Sequence, residues 1–249
     1  MKTIKNTWVL LVLITINACS QTSEKPKIEN QKAMKNETIQ VEIWSDVVCP
    51  FCYIGKRNFE NALAQFDGKN KVEVTWKSFQ LNPNLDTNTN ESVNVYQYLA
   101  DAKGISYEQS VAMHDNVNKM AKQAGLNYDF DNAKVANTMK AHCLIQLAKE
   151  KGLGNEAEER LFKAHFTEGK NIGKEEVLLV LGKEIGLDEK DILSALNSED
   201  YINKVKADLQ EAQQVGVTGV PFFVINRQYA ISGAQPEKEF LKLLKQVSE

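Results

Sequence analysis

The sequence predicts an α/β fold in two halves, a βαβ unit and a ββα unit, with a large α-helical domain inserted between them. Three observations carry this. Alternation of period two marks strands at Thr38 to Trp44 and Val72 to Leu81, and an apolar strand with a short partner marks 220–231, the two ends of the body. The stretch from about Ser92 to Val215 has helical periodicity instead. A helix separates the first two strands, so they cannot form a hairpin and must pair in parallel.

Ahead of the body, Lys2 and Lys5 precede WVLLVLITI (Trp8 to Ile16). That run falls short of the about 20 apolar residues that span a bilayer and reads as a secretory signal. Ile16-Asn17-Ala18-Cys19 resembles a bacterial lipobox with an unusual spacer, Asn17. On this reading residues 1–18 are a lipoprotein signal peptide and Cys19 is lipidated; an ordinary signal peptide cut near the same point is the other reading. The polar run after Cys19 cannot bury enough surface to offset its chain entropy, so residues 19–38 are expected to form a flexible tether. The expected location is the bacterial cell envelope, on a membrane through a lipid anchor of several chains. Without Lys2 and Lys5 the 30 basic residues become 28 against 33 acidic ones, a formal charge of −5. Such a balance gives no support for nucleic-acid binding.

In the body, TIQVEIW (Thr38 to Trp44) alternates as a strand, with Ile39, Val41 and Ile43 on one side. A helix follows over Tyr53 to Phe66, its buried stripe made by Phe59, Leu63 and Phe66. Val72 to Leu81 alternates again, and Asn82-Pro83-Asn84 ends it. Ser106 with Gln109 forms a capping box before a helix whose apolar side holds Val117, Met120 and Ala124. Val135, Met139, Cys143 and Leu147, four residues apart, define the face of another helix. Leu161, Phe162, His165 and Phe166 form a third cluster. Shorter helices over Glu175 to Ile185 and Asp188 to Leu196 and a long one over Tyr201 to Val215 complete the insertion. VPFFVIN (Val220 to Asn226) is an apolar strand, Asn226-Arg227 a tight turn, and Tyr229-Ala230-Ile231 its antiparallel partner. Pro236 opens a last helix buried through Phe240, Leu243, Leu244 and Val247. The expected domains are therefore 39–88 with 216–249, and the insertion 89–215.

The chemistry concentrates in SDVVCPFCYIGK (Ser45 to Lys56), at the first strand-to-helix junction. With Cys49 at the N-cap, Pro50 falls at N1, where a missing N–H costs nothing. The Cys49 sulfur then faces the N2 and N3 amides and the positive helix end, which should lower its pKa below the ordinary ~8.5. Cys52 lies one turn inward, close enough for a disulfide. Cys49 is thus the exposed, attacking thiol and Cys52 the resolving one. A zinc site would need two further ligands, and His142-Cys143, adjacent on a helix and about 100° apart, supply them poorly. A structural disulfide over so short a loop removes little chain entropy. A second element is Val217-Thr218-Gly219-Val220-Pro221. Proline at the start of an apolar strand withholds a ladder donor; a cis bond would bring Val220 beside the cysteines, and a trans proline at a strand edge is the bland reading.

Together the strand order, SDVVCPFCYIGK, the helical insertion, GVTGVPFFVIN and LFKAHFTEGKNIG (Leu161 to Gly173) resemble the DsbA-like thioredoxin family, with most similarity to its FrnE-type branch. The resemblance covers residues 39 to 247. It implies a thioredoxin-like fold carrying the inserted helices and thiol–disulfide exchange through Cys49 and Cys52. It also implies a cis proline at Pro221 that, with Val220, binds the substrate backbone. No cofactor beyond the redox-active Cys49–Cys52 disulfide is implied. Expected partners are cysteine-containing proteins and a membrane redox partner.

Two departures matter. Pro50-Phe51 stands between the cysteines where DsbA has Pro-His. Phe51 cannot donate to a thiolate, so a weaker oxidant is expected. Related glutathione-dependent transferases and hydroxychromene-carboxylate isomerases usually carry serine at the nucleophile position. Cys49 argues against that alternative.

Of the remaining polar residues, Asp46 reads either as a buried carboxylate handling the proton of Cys52 or as a solvated loop residue. Cys143 reads as a buried inert thiol rather than a third redox partner, and His142 and His165 as packing or surface histidines. Trp44 and Trp76 read as core or groove wall. Tyr53, Ile54 and Phe222 are expected to rim the sulfurs.

Overall fold

The structure, a computed structural model, describes residues 38–86 and 93–249. The signal peptide expected over 1–18, the lipidation expected at Cys19 and residues 19–37 of the expected tether lie outside them. Among the described residues no helix is long and apolar enough to cross a membrane.

Among the described residues the chain runs β1 (Ile39–Ser45), α1 (Pro50–Ala64), β2 (Val72–Ser78), then seven α-helices before the sheet resumes. These are α2 (Val95–Lys103), α3 (Tyr107–Gln123), α4 (Met139–Glu150), α5 (Gly154–Phe166), α6 (Glu175–Glu184), α7 (Glu189–Leu196) and α8 (Glu199–Val215). β3 (Phe222–Ile225), β4 (Tyr229–Ser232) and α9 (Glu237–Ser248) close the chain. The sheet order is β2-β1-β3-β4. β1 and β2 pair in parallel, while β1 with β3 and β3 with β4 pair antiparallel. This is the α/β, thioredoxin-like architecture the sequence predicts, with the helices between β2 and β3.

Alternation in β1 directs Ile39, Val41 and Ile43 to one face, where they pack with Phe59 and Ala62 of α1, Phe223 of β3, and Phe240 and Leu244 of α9. Trp44 faces the other way, against Ala212 of α8, Val217 and Val224. The third cluster unites the inserted helices, and Val47, Cys49, Cys52, Tyr53 and Ile54 belong to it. The cysteine motif therefore packs into the core of the insertion rather than under the sheet.

Several details depart from the periodicity. β2 stops at Ser78, opposite the end of β1 at Ser45; the Phe79 N–H still reaches the Ser45 carbonyl at 2.9 Å, and the Leu81 N–H then donates to the Asp46 carboxylate at 2.8 Å. α4 begins at Met139 because the Asn137 side chain accepts the Met139 N–H at 2.9 Å; Val135 lies before the helix. On α3 the capping box forms as expected, but Met120 is exposed and Ser110 and Ala121 are buried, so the inward stripe is rotated. Asn226 and Arg227 both have positive φ, 51° and 55°, the geometry of a two-residue turn matched to sheet twist.

Candidate redox site

Where β1 ends, the Cys49 N–H donates to the Asp46 carbonyl at 2.9 Å, a turn that sets Cys49 as N-cap of α1 with Pro50 in the first position. The Cys52 N–H reaches the Cys49 carbonyl at 3.0 Å, the first turn of the helix. All three described cysteines are free thiols.

Two expectations for Cys49 need correction. Its side chain makes no capping hydrogen bond to the helix amides. A thiol is a donor before it is an acceptor, and Sγ donates instead to the Val220 carbonyl at 3.5 Å. Nor is it exposed: Cys49 retains 4% of its surface and Cys52 1%, with Val48 and Val220 packed against their cluster. Burial, and then the adjacent Cys49, raise the Cys52 thiol well above its ordinary range, partly offset by the Asp46 backbone and the Ser45 hydroxyl.

The Val220–Pro221 peptide is cis, and the Pro221 carbonyl accepts the Gly233 N–H at 2.8 Å. Gly55 lets α1 approach this loop, since a Cβ there would lie 2.9 Å from Pro221 Cγ. Phe51 is half-exposed beside the motif, whereas Tyr53 and Ile54 are buried and form no rim; Phe222 is partly buried. Both turn inward because the second turn of α1 faces the inserted helices. The Tyr53 ring stacks on Phe162 at 4.9 Å, and Tyr128 stacks on Phe166 at 4.6 Å. The Tyr128 hydroxyl donates to the Pro50 carbonyl at 2.8 Å. The Tyr53 hydroxyl donates to Glu159 at 2.7 Å, which also receives Lys56 at 2.6 Å and Arg57 at 2.8 Å.

Behind Cys52 lies a cluster of buried polar groups: Ser45, Asp46, His142, Glu158 and His165. Asp46 is buried, which removes the solvated-loop reading. Its Oδ2 accepts the Leu81 N–H, and its Oδ1 lies 3.4 Å from His142 Nε2. Ser45 Oγ donates to Glu158 Oε2 at 3.5 Å. Burial pushes Glu158 up to about 7, against the pull of His142 and Lys56. Burial pushes His165 down to about 4. Cys143 is fully buried on α4, its thiol raised by burial to about 11, which suits an inert thiol. Trp44 and Trp76 are core. Among the described residues no group of three or more histidines, cysteines or carboxylates is placed to hold a metal ion.

Cys49, Cys52, Val220, Pro221 and Asp46 are thus brought together from two distant parts of the chain. Sequence reasoning missed Ser45, Tyr128 and Glu158 and set His142 aside. The signal for Glu158 is its place on α5: it precedes Leu161, Phe162 and His165 by three, four and seven residues, a carboxylate on the apolar stripe.

A family model described as DSBA-like thioredoxin domain matches residues 40–245. The uncharacterized protein YwbO of Bacillus subtilis is 32% identical over 213 residues, covering 83% of this chain and 96% of that protein. The crystal structure of a probable DsbA oxidoreductase from Streptomyces coelicolor superimposes with a TM-score of 0.79 at 38% identity, over 84% of this chain and 89% of that one. The cytosolic disulfide reductase DsbM from Pseudomonas aeruginosa, solved with GSH, shares the fold at a TM-score of 0.60 and 18% identity, over 84% of this chain and 100% of that one.

Proposed function

We propose that this chain, which belongs to the DSBA-like thioredoxin domain family, is a thiol–disulfide oxidoreductase of the FrnE-type branch that exchanges disulfides with cysteine-containing proteins through Cys49 and Cys52. The observation that carries the reading is the convergence of an N-cap cysteine, a second cysteine one turn inward and the Val220 carbonyl 3.5 Å from the first sulfur. A substrate thiolate attacks Cys49 of the disulfide, the Cys49–Cys52 bond breaks, and Cys52 leaves with the electron pair and takes a proton. A second substrate thiolate then attacks the substrate sulfur of the mixed disulfide and releases Cys49. The same steps in reverse reduce a substrate. Val220 and Pro221 line the extended substrate chain, and the proton of Cys52 passes into the buried cluster around Asp46.

The Ile16-Asn17-Ala18-Cys19 pattern supports an envelope location with Cys19 lipidated, where a membrane redox partner resets the pair. The test of the chemistry is trapping. With a cysteine-containing peptide disulfide, Cys52→Ser accumulates a mixed disulfide on Cys49, and Cys49→Ser forms none. Glutathione-dependent isomerase or transferase turnover that survives Cys49→Ser would replace this reading with the rival one.

A further inference from the structure

Resting on the exchange reading above, we infer that Tyr128, carried by the segment between α3 and α4, is a positioning residue that holds the Cys49–Cys52 turn ready for ring closure. Its hydroxyl donates to the Pro50 carbonyl at 2.8 Å, across 78 residues of chain. Pro50 and Phe51 are the two residues between the cysteines. The pyrrolidine ring fixes φ of Pro50, so ψ is its one soft backbone dihedral, and the direction of its carbonyl follows that ψ. A donor anchored on the carbonyl therefore fixes ψ in the first turn of the helix, where helices fray.

Such a tie positions the turn only if the tyrosine is itself held. Both of its chain neighbours are bound to the end of α5. The Asn127 carbonyl accepts the Thr167 hydroxyl at 2.9 Å, and the Asp129 N–H donates to the Phe166 carbonyl at 2.6 Å. The Tyr128 ring stacks on Phe166 at 4.6 Å and meets the edge of Phe130 at 5.5 Å. Burial, and then the nearby Cys49, raise the hydroxyl far above the ordinary tyrosine range, so it keeps its proton and stays a donor. The turn that carries the thiols is thus braced from the inserted helices.

Forming the disulfide confines the backbone between Cys49 and Cys52. A dithiol turn free to sample other ψ values must be ordered when the bond forms, whereas a turn already held by Tyr128 needs little further ordering. The disulfide confines the turn covalently with or without Tyr128. Loss of the hydroxyl therefore loosens the dithiol more than the disulfide. In ring closure the Cys52 sulfur attacks Cys49 of a mixed disulfide with glutathione. The Cys49–Cys52 bond forms, the Cys49–glutathione bond breaks, and glutathione leaves carrying, in net, the proton that Cys52 gives up.

The experiment compares wild type with Tyr128→Phe, which keeps the ring and removes the tie. Equilibration against glutathione buffers gives the potential. Acid quenching after addition of oxidised glutathione, read by mass spectrometry, follows the glutathionylated intermediate: its formation reports attack by Cys49 and its decay attack by Cys52. Tyr128→Phe is expected to lower the equilibrium constant for the disulfide about 3–10-fold, a potential less negative by about 14–30 mV. Decay should slow by a similar factor while formation is unchanged. Tyr53→Phe removes another hydroxyl from the same stack, one bonded to Glu159 and not to the turn, and should keep the wild-type potential. A purely structural role lowers the urea midpoints of both redox forms alike and leaves the potential in place. An unchanged potential in Tyr128→Phe, or an equal shift in Tyr53→Phe, overturns the positioning role while leaving exchange intact. A wild-type protein that forms no mixed disulfide with glutathione overturns both readings.

Discussion

Glu158 and His165 lie on one face of α5 and are both shifted by burial, but in opposite directions. Unfolded, Glu158 titrates near 4.5, and folded at about 7. Between those values the folded chain holds the extra proton, so the contribution of Glu158 to stability falls as pH rises from about 4.5 to about 7. His165 moves from 6.5 to about 4. Here the unfolded chain holds the extra proton, and stability rises with pH across that window. From about pH 4.5 to 6.5 the two slopes cancel, and above 6.5 only the decline due to Glu158 remains. In Glu158→Gln the histidine acts alone, so stability climbs to about pH 6.5 and then levels. Urea midpoints across about pH 4–8 check this; superimposable pH profiles of wild type and variant would contradict it.

Among the elements, α8 meets the sheet through a buried carboxylate, Asp208, beside the Trp44–Ala212 packing and the Lys77–Glu211 pair. Asp208 Oδ2 accepts the Ser78 N–H at 2.9 Å and the Gln146 amide at 2.6 Å, and the Asp208 carbonyl accepts the Trp44 indole at 3.1 Å. Lys77 and Lys149 approach the same carboxylate at 3.4 and 3.6 Å. Asp208→Ala strands the Ser78 N–H, while Gln146, Lys77 and Lys149 keep Ser78 Oγ, Glu211 and Gln146 Oε1 as partners, at a cost of about 1–3 kcal/mol; a urea unfolding curve displaced by less than about 0.5 kcal/mol would mean that the Ser78 N–H finds another partner. Period two placed β1 and a continuous apolar run placed β3, and Cys49, Cys52 and Pro221 were legible because each motif is contiguous in the chain. Met120 misled because the face of α3 that packs inward is set by its neighbours, not by its own spacing. The partners of Tyr128 and Glu158 were hidden for a related reason. Tyr128 meets Pro50 across 78 residues and Glu158 meets Ser45 across 113, and only the folded insertion closes those gaps.

For the whole molecule, the proposed anchor makes a simple prediction. Full-length protein should sediment with membranes, and Cys19→Ser should move it to the soluble fraction with its thiol exchange intact; an unchanged distribution would remove the lipid from the account. The folded body places the Cys49 sulfur and its carbonyl partner, Val220, 171 residues apart in the chain. Synthesis at roughly 5–20 residues per second puts about 10–30 s between the emergence of Cys49 and that of Val220. During that interval β1 and β2 can pair, but β3, which sits beside β1 in the finished sheet, has not been made. A folding order follows: the thiols come first and the loop that covers Cys49 comes last, so reactivity is acquired late. A chain stalled before residue 220 lacks the cover that Val220 gives Cys49, and the cell's handling of nascent chains has to protect that thiol until the C-terminal strands arrive.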